Sequence, residues 1–441
     1  MKLKMLTRYI VLFCCLVSMP LASMSSADDW SQWLGNDGNS EWNESGILTS
    51  FPENGPNVLW RADIASGYAG PAVVGNHVFV ADYVIEEGEN RPDPSTRTQL
   101  KGIERIVCLD AASGEMLWKY EHPCEYAISY AYGPRATPTV NDGHVYGLGA
   151  EGHLCCLNAE TGDVVWSKEL KDEYNLTEAP IWGFAAHPMI AGDTLYTIAG
   201  GEGSVVVALD KKTGEQKWSA LSAENQGYCP PVMINAGGVD QLIVWHPESV
   251  NGLNPENGEV YWSVELEPAY AMSIIAPQQY EDFLLVTGLQ GSSLLLRLHD
   301  DEPAVTEVWR GKGIHPDHNP PVIVDGYIYG VDVNGRLRCI DLERGERVWE
   351  SMATCPDGRP QSSTTGFVVK NGDQYFLANE LGELILAKMS PDGFEEVGRT
   401  KVLEPTSFTF GRDVVWSHPA FANKCVYWRN DKEIVCISLA E

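Results

Sequence analysis

A chain of 441 residues exceeds the usual size of one hydrophobic core, so it holds either several domains or a repeat. Its 61 acidic side chains against 31 basic ones give a formal charge of −30, which repels phosphate backbones and anionic lipid surfaces and argues against a nucleic-acid partner. An acidic surface also favours solubility.

The chain opens with Lys2, Lys4 and Arg8, then an apolar run from Ile10 to Val17, then small residues at Ser25 and Ala27. That layout predicts a secretory signal peptide over residues 1–27, too short in its apolar part to span a bilayer. Cys14 and Cys15 follow Phe13 rather than a small residue, so the expected product is soluble, and periplasmic or secreted. No later stretch reads as a membrane span. Residues 28–441 are expected to form one domain.

From there a single pattern recurs: CLDAASGEMLW (108–118), CLNAETGDVVW (156–166), ALDKKTGEQKW (208–218), GLNPENGEVYW (252–262) and CIDLERGERVW (339–349). Gly stands four residues before Trp in each copy, and Asp or Asn four before that Gly. Asp110, Asn158, Asp210, Asn254 and Asp341 have the side chain to bond a turn backbone, and glycine accepts positive φ without strain. Residues 297–309 and 386–398 are degenerate copies, the second without its Trp. Upstream of each copy lies another hairpin of alternating β-branched and aromatic residues around NDG, VDG or VNG turns. A proline opens many first strands: Pro71, Pro138, Pro188, Pro277, Pro320 and Pro419. Each unit is thus four antiparallel strands, A to D, at the period of a propeller blade.

The first-strand hairpins begin near Ala69, Ala136, Ala185, Cys229, Ile275, Asn319, Ser363 and His418. The last unit ends at its third strand, CISLAE, while NVLW (57–60) has the form of a fourth strand with no partners before it. The predicted fold is all-β: an eight-bladed β-propeller of four-stranded antiparallel blades, closed by an N-terminal strand completing the C-terminal blade. Trp60, Trp118, Trp166, Trp218, Trp262, Trp309 and Trp349 fill the fourth-strand slot and are expected to pack between blades. Cys108, Cys156, Cys339 and Cys436 share a third-strand slot that wants a small buried residue. Cys124, Cys229 and Cys355 fall in predicted connections and are free to pair after export, but no bridge can be assigned.

The repeat A-x-[ST]-G-x-x-x-W resembles the tryptophan-docking repeat of the PQQ-like propellers. That superfamily holds the quinoprotein alcohol dehydrogenases and the lipoprotein scaffold of the outer-membrane barrel assembly machine, so the resemblance implies the fold more firmly than a function.

Strand order puts the A–B and C–D turns on one face and the B–C turns and D-to-A links on the other. The long connections all belong to the second, upper face: residues after Trp118 and after Trp166, those ahead of His418, and a B–C insertion over 84–104. Function concentrates on such loops. Tyr68, Arg135, Trp182, His187, Tyr228, His318, Arg359, Arg412, Trp416 and His418 are the candidate ligand-binding residues, with His187, His318 and His418 expected to ring the central mouth. Imidazoles, guanidiniums and aromatic faces there suit a planar anionic ligand. No metal site follows from their spacing. GLGAEG (147–152) sits between strands and reads as a turn rather than a dinucleotide fingerprint, and Cys155–Cys156 lies inside a strand, where neighbouring side chains diverge.

The expected function is a non-catalytic exported scaffold holding a protein partner or small ligand at the upper central funnel, with no cofactor. The alternative implied by the resemblance is a PQQ-dependent dehydrogenase acting on an alcohol or sugar. It would need calcium held by Glu and Asn side chains, an aromatic floor and an aspartate base, for which Asp413 is the candidate.

Overall fold

The computed structural model describes residues 28–441, and the predicted signal peptide lies outside them. Eight four-stranded antiparallel sheets follow one another around a ring. Blade 1 comprises Ala72–Val74, His77–Glu87, Thr98–Asp110 and Met116–Ile128. Blade 8 takes Ala420–Ala422, Cys425–Arg429 and Glu433–Ser438 from one end of the chain and Val58–Asp63 from the other. Arg61 lies opposite Val435 and Trp60 opposite Cys436, so the ring is latched as the strand count requires. All of these prolines but Pro320, which Pro321 separates from its strand, immediately precede the first paired residues of their A strands, where no ladder N–H is needed. No helix among the described residues is long and apolar enough to cross a membrane.

The repeat explains the seams between blades. The Asp110 carboxylate accepts the N–H groups of Ala112 and Ser113, and Asn158 and Asp210 repeat the arrangement. The glycine four residues on has φ near 73° in blades 1 to 3. It has a second duty that the turn alone does not reveal. A Cβ on Gly114, Gly162, Gly214 or Gly258 would press into the indole of Trp60, Trp118, Trp166 or Trp218, each from the preceding blade. The indole N–H then donates to a carbonyl of that same turn region, as Trp118 does to Ala159 at 3.0 Å and Trp166 to Lys211 at 2.9 Å. Opposite every such Trp but Trp309, which faces Leu295, stands a small third-strand residue, Cys108 facing Trp118 and Cys156 facing Trp166, beside a register shift in the ladder. Burial pushes the Cys156 and Cys339 thiols up to about 11, so these cysteines are packing residues.

The degenerate copies confirm this logic by failing in different ways. Blade 5 has no turn glycine to receive Trp262, and that indole folds back over Gly252 of its own blade and donates to Gln241 at 2.7 Å. Blade 7 has Gly398 in the Trp slot, and Phe51 from the N-terminal segment packs beside it.

Two expectations need correction. The 84–104 insertion is a loop only over residues 88–97: below that tip, strands B, C and D of blade 1 run on past the usual blade height as a three-stranded extension. Cys124 therefore lies in a strand, and all nine cysteines of the described chain are free thiols. Cys155 and Cys156 do diverge, the first packing with Phe79 and Ile106 of blade 1, the second with Leu209 of blade 3.

Candidate functional site

The axis of the ring is filled by the chain's own N-terminal segment. Trp30 exchanges two backbone hydrogen bonds with Val73 of blade 1, Ser31 accepts one from Val140 of blade 2, and Ser40 and Trp42 bond Lys370 of blade 7. These partners lie beside A–B turns, so the segment enters from the lower face. Leu34 and Gly35 take left-handed backbone, φ 66° and 86°, which turns the chain back on itself and leaves Trp33 pointing up the axis. The Trp33 ring stacks on His187 at 4.4 Å and tilts against His418 at 6.2 Å. Leu34 packs with Trp33 and Ala276 of blade 5.

His187 and His418 are thereby committed to internal contacts. The Thr137 N–H donates to His187 Nδ1 at 2.7 Å, and the Thr137 hydroxyl lies 2.8 Å from His418 Nε2. Burial drives His418 down to about 4 and His187 well below its ordinary value, so both rings are neutral at pH 7. His418 also needs Gly70, because a Cβ there would overlap its ring.

Above this plug the structure gathers four of the predicted residues. Tyr68 packs against Trp416 at 6.1 Å and lies under the Arg135 guanidinium at 5.4 Å, while His318 meets Trp416 edge-on at 5.0 Å. Tyr130 and Tyr132 complete this aromatic floor. Arg135 donates to the carbonyls of Ser129 at 2.8 Å and Tyr130 at 2.7 Å, and also to Gly133, so much of its fork is spent on its own loop. Trp182 and Tyr228 form a separate pair at 5.5 Å, with Trp182 donating to Pro94 of the blade 1 extension. Arg412 makes a two-pronged ion pair with Glu380, at 2.8 and 3.2 Å, and bonds the carbonyls of Ser362 and Ser363. Arg359 is exposed, apart from the aromatic floor.

The sequence offered no signal for the hairpin Ser407–Thr409/Arg412–Val414 that stands over this floor. Its Phe408 and Phe410 are 50 % and 49 % exposed. The hairpin is held by the Phe408 N–H donating to the Tyr132 hydroxyl at 3.2 Å and by Phe410 against Trp416 at 6.3 Å. Two adjacent exposed phenylalanines on a braced hairpin make an apolar contact point.

A quinone cofactor does not fit these residues. The axial space beside His187 is filled by the Trp33 ring, and Asp413 is exposed on the hairpin, paired across from Phe408. No catalytic step through such a group follows from this arrangement.

A family profile described as outer membrane protein assembly factor BamB matches residues 44–169 and 102–351. The outer membrane protein assembly factor BamB of Moranella endobia (strain PCIT) is 26 % identical over 204 residues, which cover 42 % of this chain and 47 % of that protein. The chain spans about half the length of the curated relatives it matches. In fold it is similar to BamB from Moraxella catarrhalis, with TM-score 0.56 at 13 % identity over 86 % of this chain and 98 % of that one. It is also similar to a quinohemoprotein alcohol dehydrogenase from Comamonas testosteroni, with TM-score 0.60 at 12 % identity over 93 % and 80 % of the two chains. Those likenesses speak to architecture alone, whereas the profile match extends across most of the blades: the chain belongs to the PQQ_2 repeat family, the family described as outer membrane protein assembly factor BamB.

Proposed function

We propose that this protein is a non-catalytic, exported scaffold that holds a protein partner on its upper face, in the manner of an assembly factor. The observation that carries the reading is the pair of half-exposed phenylalanines, Phe408 and Phe410, on a hairpin anchored to the Tyr68–Tyr130–Tyr132–Trp416 floor. Aromatic anchors on a rigid base are the usual energetic centre of a protein interface, because little side-chain entropy remains to be lost. The filled axis supports the same choice, since it leaves the mouth shallow where a small planar ligand would need depth. Tyr68, Arg135, His318 and Trp416 then serve as the platform beneath the contact point, and Arg412 and His418 fix its height.

A photo-crosslinking residue placed at 408 or 410 should give a discrete protein adduct in the native host, whereas one at Lys212 in a lower-face turn should not. Adducts from Lys212 with none from the hairpin would assign the working surface to the other side. The relatives' printed role as an outer membrane protein assembly factor makes an envelope protein the expected adduct.

A further inference from the structure

Between blades 1 and 2 the structure encloses a group of side chains that the upper-face reading does not use. The fourth strand of blade 1 alternates strictly there: Lys119, Glu121 and Glu125 point to solvent, while Tyr120, His122, Cys124 and Tyr126 face blade 2. Glu104 on the neighbouring strand pairs directly with His122, and Gly102 pairs with Cys124. Period-two geometry thus sets a carboxylate, an imidazole and a thiol side by side.

Their hydrogen bonding is incomplete in a specific way. Glu104 is 2 % exposed, and its Oε1 accepts the Ala150 N–H at 2.8 Å and the Tyr126 hydroxyl. Its Oε2 faces His122 Nε2 at 3.3 Å, an ion-pair distance with imperfect hydrogen-bond geometry, and neither atom has any other partner. The Cys124 sulfur completes a set whose ligand atoms all fall within 4.8 Å of one another. Glu104, Tyr120, His122, Gly149 and His153 line a cavity of about 20 Å³ beside it, room for one water-sized occupant. Gly149 is required, since a Cβ there would collide with the Glu104 carboxylate. Around the cluster the positions are braced: His153 Nδ1 lies 2.5 Å from Glu169, its Nε2 lies 3.0 Å from the Tyr120 hydroxyl, and its ring sits 4.0 Å from that of His122.

We propose that Glu104, His122 and Cys124 form a binding site for a divalent transition-metal ion of the zinc type. Ligand atoms on a tetrahedral ion with bonds of about 2.0–2.3 Å are separated by about 3.3–3.8 Å, and the carboxylate and imidazole already stand at that spacing. One oxygen, one nitrogen and one sulfur donor suit a borderline-soft ion and disfavour calcium or magnesium, which take oxygen ligands. The carboxylate and thiolate charges balance a dication, and a water in the adjoining cavity supplies the fourth position. His153, itself held by Tyr120 and Glu169, packs its ring against that of His122 and limits how that ligand can turn. The site ties two strands of blade 1 together against blade 2 and belongs to the inter-blade seam rather than to the upper face.

The test uses the exported chain stripped with a chelator and titrated with Co²⁺ alone, then with Zn²⁺. One equivalent of Co²⁺ should bring the visible bands of a four-coordinate ion and a near-ultraviolet thiolate charge-transfer band, and Zn²⁺ should displace it. Cys124→Ser should abolish the charge-transfer band, and both Cys124→Ser and His122→Asn should weaken Zn²⁺ binding by about tenfold or more. His144→Gln, at the lower end of the second strand of blade 2, should leave binding unchanged. Circular dichroism of the metal-free variants separates a lost ligand from a lost fold, and the wild-type cobalt spectrum decides the matter if a variant does not fold. Failure to bind one equivalent, or a cobalt spectrum lacking the thiolate band, overturns the site.

Discussion

The outer seams and the central axis are both filled by tryptophan, yet they are built on opposite principles. At the seams one device is copied round the ring: an indole from one blade lies on a glycine of the next, with its N–H on a carbonyl of the same turn. At the axis a single irregular segment meets blades 1, 2 and 7 through its backbone and reaches toward blades 3, 5 and 8 through Trp33 and Leu34. A copied contact spreads its contribution over many places and tolerates a lapse, as Trp262 and Gly398 show. An uncopied contact concentrates it.

The sharpest way to break that contrast is Trp33→Ala. Removing a large ring from a site 9 % exposed should reduce unfolding free energy by about 3–5 kcal/mol, read from denaturant midpoints at constant slope. A loss below about 1 kcal/mol would make the plug a passive passenger. Acid titration addresses the same region. Unfolded histidine titrates near 6.5, whereas folded His418 lies at about 4, so between those values the unfolded chain binds a proton that the folded one does not. Stability should therefore be intact above about pH 6.5 and fall as pH drops toward 4, by up to about 3 kcal/mol from this group. His418→Asn should flatten that slope, and an unchanged slope would place the acid sensitivity elsewhere.

The seam is tested by comparing two glycines of similar backbone. Gly162→Val meets a φ of 75° and a Trp118 ring 2.6 Å from the new Cβ, while Gly192→Val meets a φ of 58° and open space. The first should cost about 1–2 kcal/mol more than the second, the excess being the displaced indole. Equal losses would show that the glycine serves the turn alone. The smallest effect belongs to Phe408→Ser with Phe410→Ser, which should leave stability within about 0.5 kcal/mol and yet remove the partner adducts captured by a photo-crosslinking residue at the neighbouring exposed position 413. A large loss of stability instead would make the two phenylalanines part of the fold.

What could be read in the sequence follows the same division. Strand order, the latch at Val58–Asp63, the turn carboxylates and the shared cysteine slot were all legible, because each recurs at a fixed offset from a Trp or Gly. The axial segment was not, since residues 28–56 have no copy to be compared with and no periodicity of their own. Blade 1's extension read as a loop because Gly88, Pro92 and Pro94 break its tip, although Tyr120, His122, Cys124 and Tyr126 alternate as a strand should. Within the upper face, Tyr68, Arg135, His318 and Trp416 come together from distant parts of the chain. Arg412 is turned aside by Glu380, a pairing that no local spacing announces.

The latch joins Arg61 to Glu433 across 372 positions of chain, so the eighth sheet cannot exist before the last strand has been delivered. During synthesis or export the early strand must wait with its edge bare while seven sheets assemble around the threaded segment. Cutting the last strand away would bare the early edge and open the eighth sheet while the threaded segment keeps its bonds to blades 1, 2 and 7, which makes the last strand the control point for closure of the ring.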